Sequence, residues 1–304
     1  MLYDIAIIGG GAAGLSAAIY AARGGMKTVV FEGTGFGGQI NYTSDVDNYL
    51  GFPSIKGLEL ANIMHSHAEQ FDCEFKTENI RTIENINAPV KKLVTRKNVY
   101  ETKTIILATG AKPRKLGVQG EDELSGAGVS YCATCDGAFS KGKTAIVVGG
   151  GNTAFEDALY LSGLCNKVYL LHRSEKFRAD NILIEKVRAN PTIDVLTNRR
   201  IEKIQGDFSV KSVVTANTIS GKVEVINTDA VFVAVGRNPE NSLIMNSAKI
   251  ADDGSVICDE HMSTSISGIY AAGDVRNTPL RQIITAAADG AIAATSAINY
   301  IKSL

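Results

Sequence analysis

Residues 8–14 read Ile8-Gly9-Gly10-Gly11-Ala12-Ala13-Gly14, a G-x-G-x-x-G turn whose meaning depends on what flanks it. Leu2 to Ile8, before it, is β-rich and reads as a strand; Leu15 to Arg23, after it, is alanine-rich and reads as a helix. Thr28 to Phe31 reads as a second strand that ends in Glu32. The three glycines have separate jobs: a tight turn, close approach of backbone N–H groups to a pyrophosphate, and close packing of helix on strand. Glu32 follows about 20 residues on, where a carboxylate accepts hydrogen bonds from a ribose 2′-hydroxyl. A lone glycine pattern is weak evidence. Strand, turn, helix and acid in this order predict an α/β dinucleotide-binding unit. A membrane span competes for the same stretch, because Ile5 to Ala22 is uncharged and Gly10 and Gly14 have a membrane-dimer spacing. Three consecutive glycines, Asp4 in place of a basic flank, and a β-rich first half argue against both a span and a secretory leader. The expected compartment is the cytoplasm.

The composition supports this reading. The chain has 304 residues with 31 basic and 32 acidic side chains, which excludes the basic footprint of a nucleic-acid binder. The length suits two or three domains at roughly 100–200 residues each. Glycine, at 30 residues, exceeds the usual roughly 7% and is clustered in short strings. Five cysteines, an odd number with one close pair, do not suit a secreted disulfide framework.

The opening pattern recurs 140 residues on: Gly9 aligns with Gly149, Gly11 with Gly151, Gly14 with Ala154, Tyr20 with Tyr160 and Lys27 with Lys167. This is an internal duplication of the nucleotide-binding unit. The informative difference lies at the strand end, where Glu32 aligns with His172, followed by Arg173, Ser174 and Arg178. A carboxylate there repels a 2′-phosphate, whereas a guanidinium offers it bidentate hydrogen bonds. The first site therefore suits FAD or NAD and the second NADPH. Ile105 to Gly110 and Val231 to Gly236 are both apolar strands running into glycine turns. Two such crossings predict that the second nucleotide domain is inserted into the first, with hinges near Gly110 to Pro113 and Gly236 to Pro239. A helix is expected over Gly57 to Phe71, a β-rich stretch over Ile80 to Thr104, and a last helix from about Gln282.

The only close cysteine pair is Cys132-Ala133-Thr134-Cys135, followed by Asp136. This spacing lets two sulfurs cycle between dithiol and disulfide. A structural zinc site needs four ligands, and no second pair lies at the usual spacing. Cys73, Cys165 and Cys258 read as small core residues, and His65 and His67 as polar surface on a helix.

Two nucleotide units, Cys132-Ala133-Thr134-Cys135-Asp136-Gly137, Gly37-Gly38-Gln39, Ala271-Ala272-Gly273-Asp274 and Arg281-Gln282 together resemble the low-molecular-weight thioredoxin reductases, over essentially the whole chain. The resemblance implies an α/β fold of two Rossmann-like nucleotide-binding domains of the three-layer ββα type, the second inserted into the first. Residues 1–111 and 239–304 would form the FAD domain, and 112–238 an NADPH domain carrying the redox disulfide. It also implies a homodimer acting on thioredoxin or a thioredoxin-like protein, with no nucleic acid and no membrane as partner. Gly9, Gly11, Ala13, Gly14, Glu32, Gly37, Gly38 and Gln39 match the FAD pyrophosphate and ribose site, and Asn48 a flavin-side asparagine. Gly273 and Asp274 match the ribityl or phosphate end, and Arg281, Gln282 and Ile283 the surroundings of the isoalloxazine. Gly149, Gly151, Asn152, Thr153, Ala154, His172, Arg173 and Arg178 match the NADPH site. By the same resemblance Cys135 faces the flavin, Cys132 attacks the partner's disulfide, and Asp136 handles the thiol proton.

One departure stands out. The family shows H-R-R-x-x-x-R at the end of the second nucleotide unit, whereas here Ser174 replaces the middle arginine. The loss of a charge-assisted hydrogen bond of about 1.5–3 kcal/mol lowers NADPH affinity by an order of magnitude or more. A ferredoxin-driven reductase and a dithiol oxidase of the same fold are the rival enzymes. A flavin-bound redox sensor is the non-enzymatic rival, and it has no use for a second nucleotide site. The shared placement of disulfide and nicotinamide on one domain predicts rotation about the two hinges.

Overall fold

A computed structural model describes residues 1–43 and 45–304. The chain divides into two compact units, Met1–Lys112 with Asn238–Leu304, and Pro113–Arg237. The two crossings, Ala111–Pro113 and Arg237–Pro239, pair with each other as a two-stranded ribbon.

In the first unit five parallel strands lie in the order Cys73–Lys76, Thr28–Phe31, Leu2–Ile8, Val99–Leu107, Ile269–Ala271. Counted along the chain this is third, second, first, fourth, fifth, the order in which dinucleotides bind above the central strand. Within the strand Leu2–Ile8, Ile5 to Ile8 are buried on both faces, which is why that stretch reads as a continuous apolar run. Ile5 and Ile7 point to one face and pack with Ala13, Ala17, Ala18 and Ala21 of α1 (Ala12–Arg23) and with Ala293, Ala294 and Ala297 of the last helix. Ala6 and Ile8 point to the other face and pack in one cluster with Tyr3, Leu93 and Ile83. That second cover is an antiparallel meander: the first half of Val99–Leu107 pairs with Lys91–Val94, and this with Thr82–Glu84. The expected β-rich stretch resolves into these three strands. A further helix, α2 (Gly57–Ala68), stops short of the expected Phe71.

The second unit repeats the plan. Its parallel strands lie in the order Ile193–Leu196, Lys167–Leu171, Thr144–Val148, Ala230–Val233, Val129–Ser130. A short helix, α3 (Ala133–Asp136), follows the last of these, and α4 (Asn152–Ser162) follows Thr144–Val148. Ala154, Phe155, Ala158 and Leu161 of α4 pack with Ala145 and Val147 on one face, near α5 (Asn181–Ala189). The other face, through Ile146, Val148 and Val231, is covered by Ile201, Ile204 and Val213 of a three-stranded antiparallel sheet. Each unit is therefore the three-layer ββα sandwich that the resemblance implied.

The units differ in one respect that bears on the site. The first unit's fifth strand, Ile269–Ala271, comes last in the chain and leads to Gly273 and Asp274. In the second unit the same place is filled by Val129–Ser130, which comes first and leads to Cys132. The last helix, α6 (Ile283–Lys302), starts one residue after the expected Gln282, which serves as its N-cap. Among the described residues no helix is long and apolar enough to cross a membrane.

Candidate functional site

The first glycine turn is shaped by what a side chain would strike. Gly9 has φ +112°, and a Cβ there would lie 2.2 Å from Ala108 O; a Cβ on Gly14 would lie 1.9 Å from Gly9 O. At Gly11 the nearest atom to such a Cβ is the Gly38 Cα, 3.9 Å away, so the turn is open where α1 begins. No side chain caps α1, and its first N–H groups face that opening. This cradle fits the pyrophosphate of FAD. Glu32 is held beside it: one carboxylate oxygen accepts the Gly10 N–H at 2.8 Å, the other the Thr34 N–H at 2.9 Å and the Thr34 hydroxyl at 3.1 Å. Gly37 donates to Gly10 O at 2.8 Å, which brings Gly38 and Gln39 to the turn.

Sequence-distant residues meet at this end of the sheet. A Cβ on Gly273 would touch the Ala13 side chain at 3.1 Å, so the Gly273–Asp274 turn sits on α1. Asn48 donates from Nδ2 to Gln282 Oε1 at 3.1 Å, across 234 residues of chain. Ile283 packs beside Ala12 and Ile40. Arg281 turns its guanidinium to Ser255 Oγ (3.1 Å), Asp253 (3.6 Å) and the Asp274 carbonyl (3.5 Å), and so anchors the segment that carries Asp274.

The second turn has the same steric logic. A Cβ on Gly149 would lie 2.4 Å from Ala234 O and 2.6 Å from Ala154 Cβ, while Gly151 has nothing within 4 Å. Asn152 and Asp180 hold each other by two hydrogen bonds, 2.9 and 2.8 Å, and Thr153 is exposed on the first turn of α4. The Arg178 N–H donates to Gly150 O at 2.7 Å. His172 departs from expectation. Its ring lies so close to Gly150 that a Cβ there would be 2.2 Å from Cε1, and its Nε2 is 3.1 Å from both Lys176 O and Ser174 Oγ. Burial holds the imidazole below its ordinary pKa, against the pull of the Lys176 carbonyl. His172 is therefore a neutral brace for the turn rather than a cation, and the positive charge comes from Arg173 and Arg178, both exposed.

A disulfide joins Cys132 and Cys135, with Cα atoms 5.3 Å apart. It lies at the carboxyl end of the parallel strands, the end that also carries the second glycine turn. The Asp136 N–H donates to Cys132 O at 3.1 Å. Burial pushes the Asp136 carboxyl up, opposed by a hydrogen bond from Ser130. Cys165 is buried and donates to Ser140 O; the half-buried Cys73 and Cys258 thiols are pushed up by burial to about 12 and about 11. No group of three His, Cys, Asp or Glu side chains is placed to hold a metal among the described residues.

Residues 3–290 match the family model of pyridine nucleotide-disulphide oxidoreductases. The chain belongs to that family. A thioredoxin reductase of Peptoclostridium acidaminophilum is 42% identical over 309 residues, covering 99% of this chain and 98% of that protein. The crystal structure of a thioredoxin reductase from Streptococcus pyogenes superposes with a TM-score of 0.93 at 42% identity, over 100% of this chain and 99% of that one. One from Giardia duodenalis superposes with a TM-score of 0.94 at 36% identity, over 99% of each chain.

Two features of this oxidoreductase lie outside its sequence motifs. Asp289, 6% exposed on α6, accepts the Gly273 N–H (3.1 Å) and both Nε (2.8 Å) and Nη2 (3.1 Å) of Arg276. The signal was there: Asp289 is the lone charge between Ile283 and Ile301. His65, expected on the surface, instead stacks on Phe36 with ring centroids 4.3 Å apart, and the Phe36 ring covers Gly10. His67 is exposed. The stack ties α2 to the glycine turn, a contact that helix periodicity does not record.

Proposed function

We propose that the chain is an NADPH-dependent thioredoxin-disulfide reductase that passes two electrons through FAD to the Cys132–Cys135 disulfide and on to thioredoxin. The observation that carries this reading is the disulfide itself, set one turn from a half-buried carboxyl at the nucleotide-binding end of its sheet. The relatives named thioredoxin reductase, matched over nearly their full lengths, support it. Bound FAD supplies the two-electron relay between a nicotinamide hydride and a disulfide. Its pyrophosphate is taken by the N–H groups after Gly9, Gly11 and Gly14, its ribose by Glu32, and its flavin end by Asn48, Asp274, Gln282 and Ile283. NADPH is taken by the turn Gly149 to Ala154, with Arg173 and Arg178 on its 2′-phosphate. Cys132 attacks the partner's disulfide as a thiolate, Cys135 resolves the mixed disulfide, and Asp136 takes and returns the thiol proton. The working form is a homodimer in the cytoplasm.

Anaerobic titration of the purified yellow protein with NADPH, NADH and reduced ferredoxin, followed by flavin absorbance, tests the donor. Bleaching by NADPH alone is expected. Bleaching by ferredoxin alone reassigns the donor, and a protein that binds no flavin overturns the reading. Cys132→Ser is expected to keep flavin reduction by NADPH and to lose thioredoxin turnover; retained turnover would remove Cys132 from its role.

A further inference from the structure

Ser130, just before the disulfide, is a polar side chain to which this chemistry has so far given no part. Ser130 ends its strand and is 7% exposed. Its Oγ lies 2.5 Å from Asp136 Oδ2 and accepts the Cys132 N–H at 3.1 Å. A third neighbour, Cys132 O, is farther at 3.3 Å and already takes the Asp136 N–H. A hydroxyl has a single proton, and the shorter, charge-assisted contact to the carboxylate takes it. One oxygen thus joins the Cys132 backbone to the carboxyl one helical turn later. We infer that Ser130 is the positioning residue of thiol–disulfide exchange, holding the Asp136 carboxyl against Cys132 so that it takes and returns the thiol proton. The inference rests on the disulfide-reductase reading above.

The exchange balances without an added reagent once the pair is reduced. The Cys132 thiolate bonds to one sulfur of the partner's disulfide, and the other sulfur leaves as a thiolate. Cys135 then bonds to Cys132, and the second partner sulfur leaves. Two electrons pass from the dithiol to the partner. The protons of Cys132 and Cys135 end on the partner's two thiols, the first by way of Asp136. The bond donated by Ser130 favours the carboxylate form of Asp136; without it burial keeps the carboxyl protonated to higher pH. Ionisable groups around this turn among the described residues include Tyr131, which donates to Glu121, Arg237 on the Tyr131 carbonyl, and Tyr160 of α4 behind Gly137; α4 also carries Glu156 and Asp157. The hydrogen bonds of the Ser130 hydroxyl go to Cys132 and Asp136.

The test is single-turnover oxidation of the reduced holoenzyme by a small aromatic disulfide, followed across about pH 5–9. Ser130→Ala is expected to slow the reaction near neutrality by about tenfold and to move the Asp136 limb of the profile up by about one pH unit. In an Asp136→Asn background the same change adds nothing, as two residues acting through one path require. Ser130→Thr restores the profile. Ser130→Val, of the same shape without the hydroxyl, does not, and this pair decides the matter if the alanine variant fails to fold. A Ser130→Ala profile that superposes on the wild type, or an equal loss in both backgrounds, would overturn the inference. Failure of the underlying reading shows differently: the wild type then consumes the aromatic disulfide and leaves thioredoxin oxidised.

Discussion

Glu32 takes the Gly10 N–H, and His172, at the equivalent strand end, lies against Gly150 with its Nε2 turned to Ser174 and to the Lys176 carbonyl. Both side chains brace a glycine turn, but only Glu32 does so with a charge. Ser174, in the place of an arginine, belongs to this brace: its hydroxyl also donates to Lys176 O at 3.2 Å. Recognition of a 2′-phosphate then falls to Arg173 and Arg178. Alanine at either is expected to weaken NADPH binding by about tenfold or more while leaving NADH binding nearly unchanged, measured by equilibrium titration of the two nucleotides. His172→Ala is expected to lower stability through the loss of packing at Gly150 and to leave the NADPH-to-NADH ratio where it was. The motif positions were legible in the sequence because glycine sterics are local. The charge state of His172 was not, because burial sets it.

Among the elements, α6 does most to close the first unit. Gly290 lets it cross α1 so tightly that a Cβ would lie 2.0 Å from Ala13 O, and Asp289 beside it grips Gly273 and Arg276. Removing one partner of a buried ion pair strands the other. Asp289→Ala is therefore expected to cost about 3–5 kcal/mol and to speed FAD release, read from denaturant melts and flavin fluorescence. In the second unit the half-buried Asp157 of α4 has its carboxyl pushed up to about 7 by burial, then by Glu156, against the pull of Arg237. Raised above its unfolded value, this carboxyl favours folding most below about pH 4, and that contribution is lost as the pH rises through about 7. Asp157→Asn is expected to stabilise the protein by about 2–4 kcal/mol at pH 8 and by little near pH 4. Melting temperatures equal in shift at both pH values would contradict this.

At the scale of the whole molecule, the hydrophobic clusters among the described residues fall three in the first unit and two in the second. The crossings that separate the units are brought together by backbone pairing, Arg114 N–H to Gly236 O at 3.0 Å and Glu240 N–H to Gly110 O at 2.9 Å. A short glycine-serine linker joining Lys112 to Asn238 is therefore expected to leave a folded first unit that binds FAD without residues 113–237. Circular dichroism and the flavin absorption band check this. A chain that collapses without binding flavin would show that the first unit needs its insert to fold.

The sequence by itself determined the two nucleotide turns, their duplication, the inserted order and the cysteine pair. Each is written in short-range sterics, periodicity or spacing, which need no distant contact to act. The tertiary structure alone decided that Val129–Ser130 fills the place Ile269–Ala271 holds in the first unit, and so sets the disulfide at the nucleotide-binding end of its sheet. It also decided the meetings of Asn48 with Gln282 and of Arg276 with Asp289. Strand order and burial arise from packing between segments far apart in the chain, and no local pattern records which partner a two-residue strand or a buried charge will find.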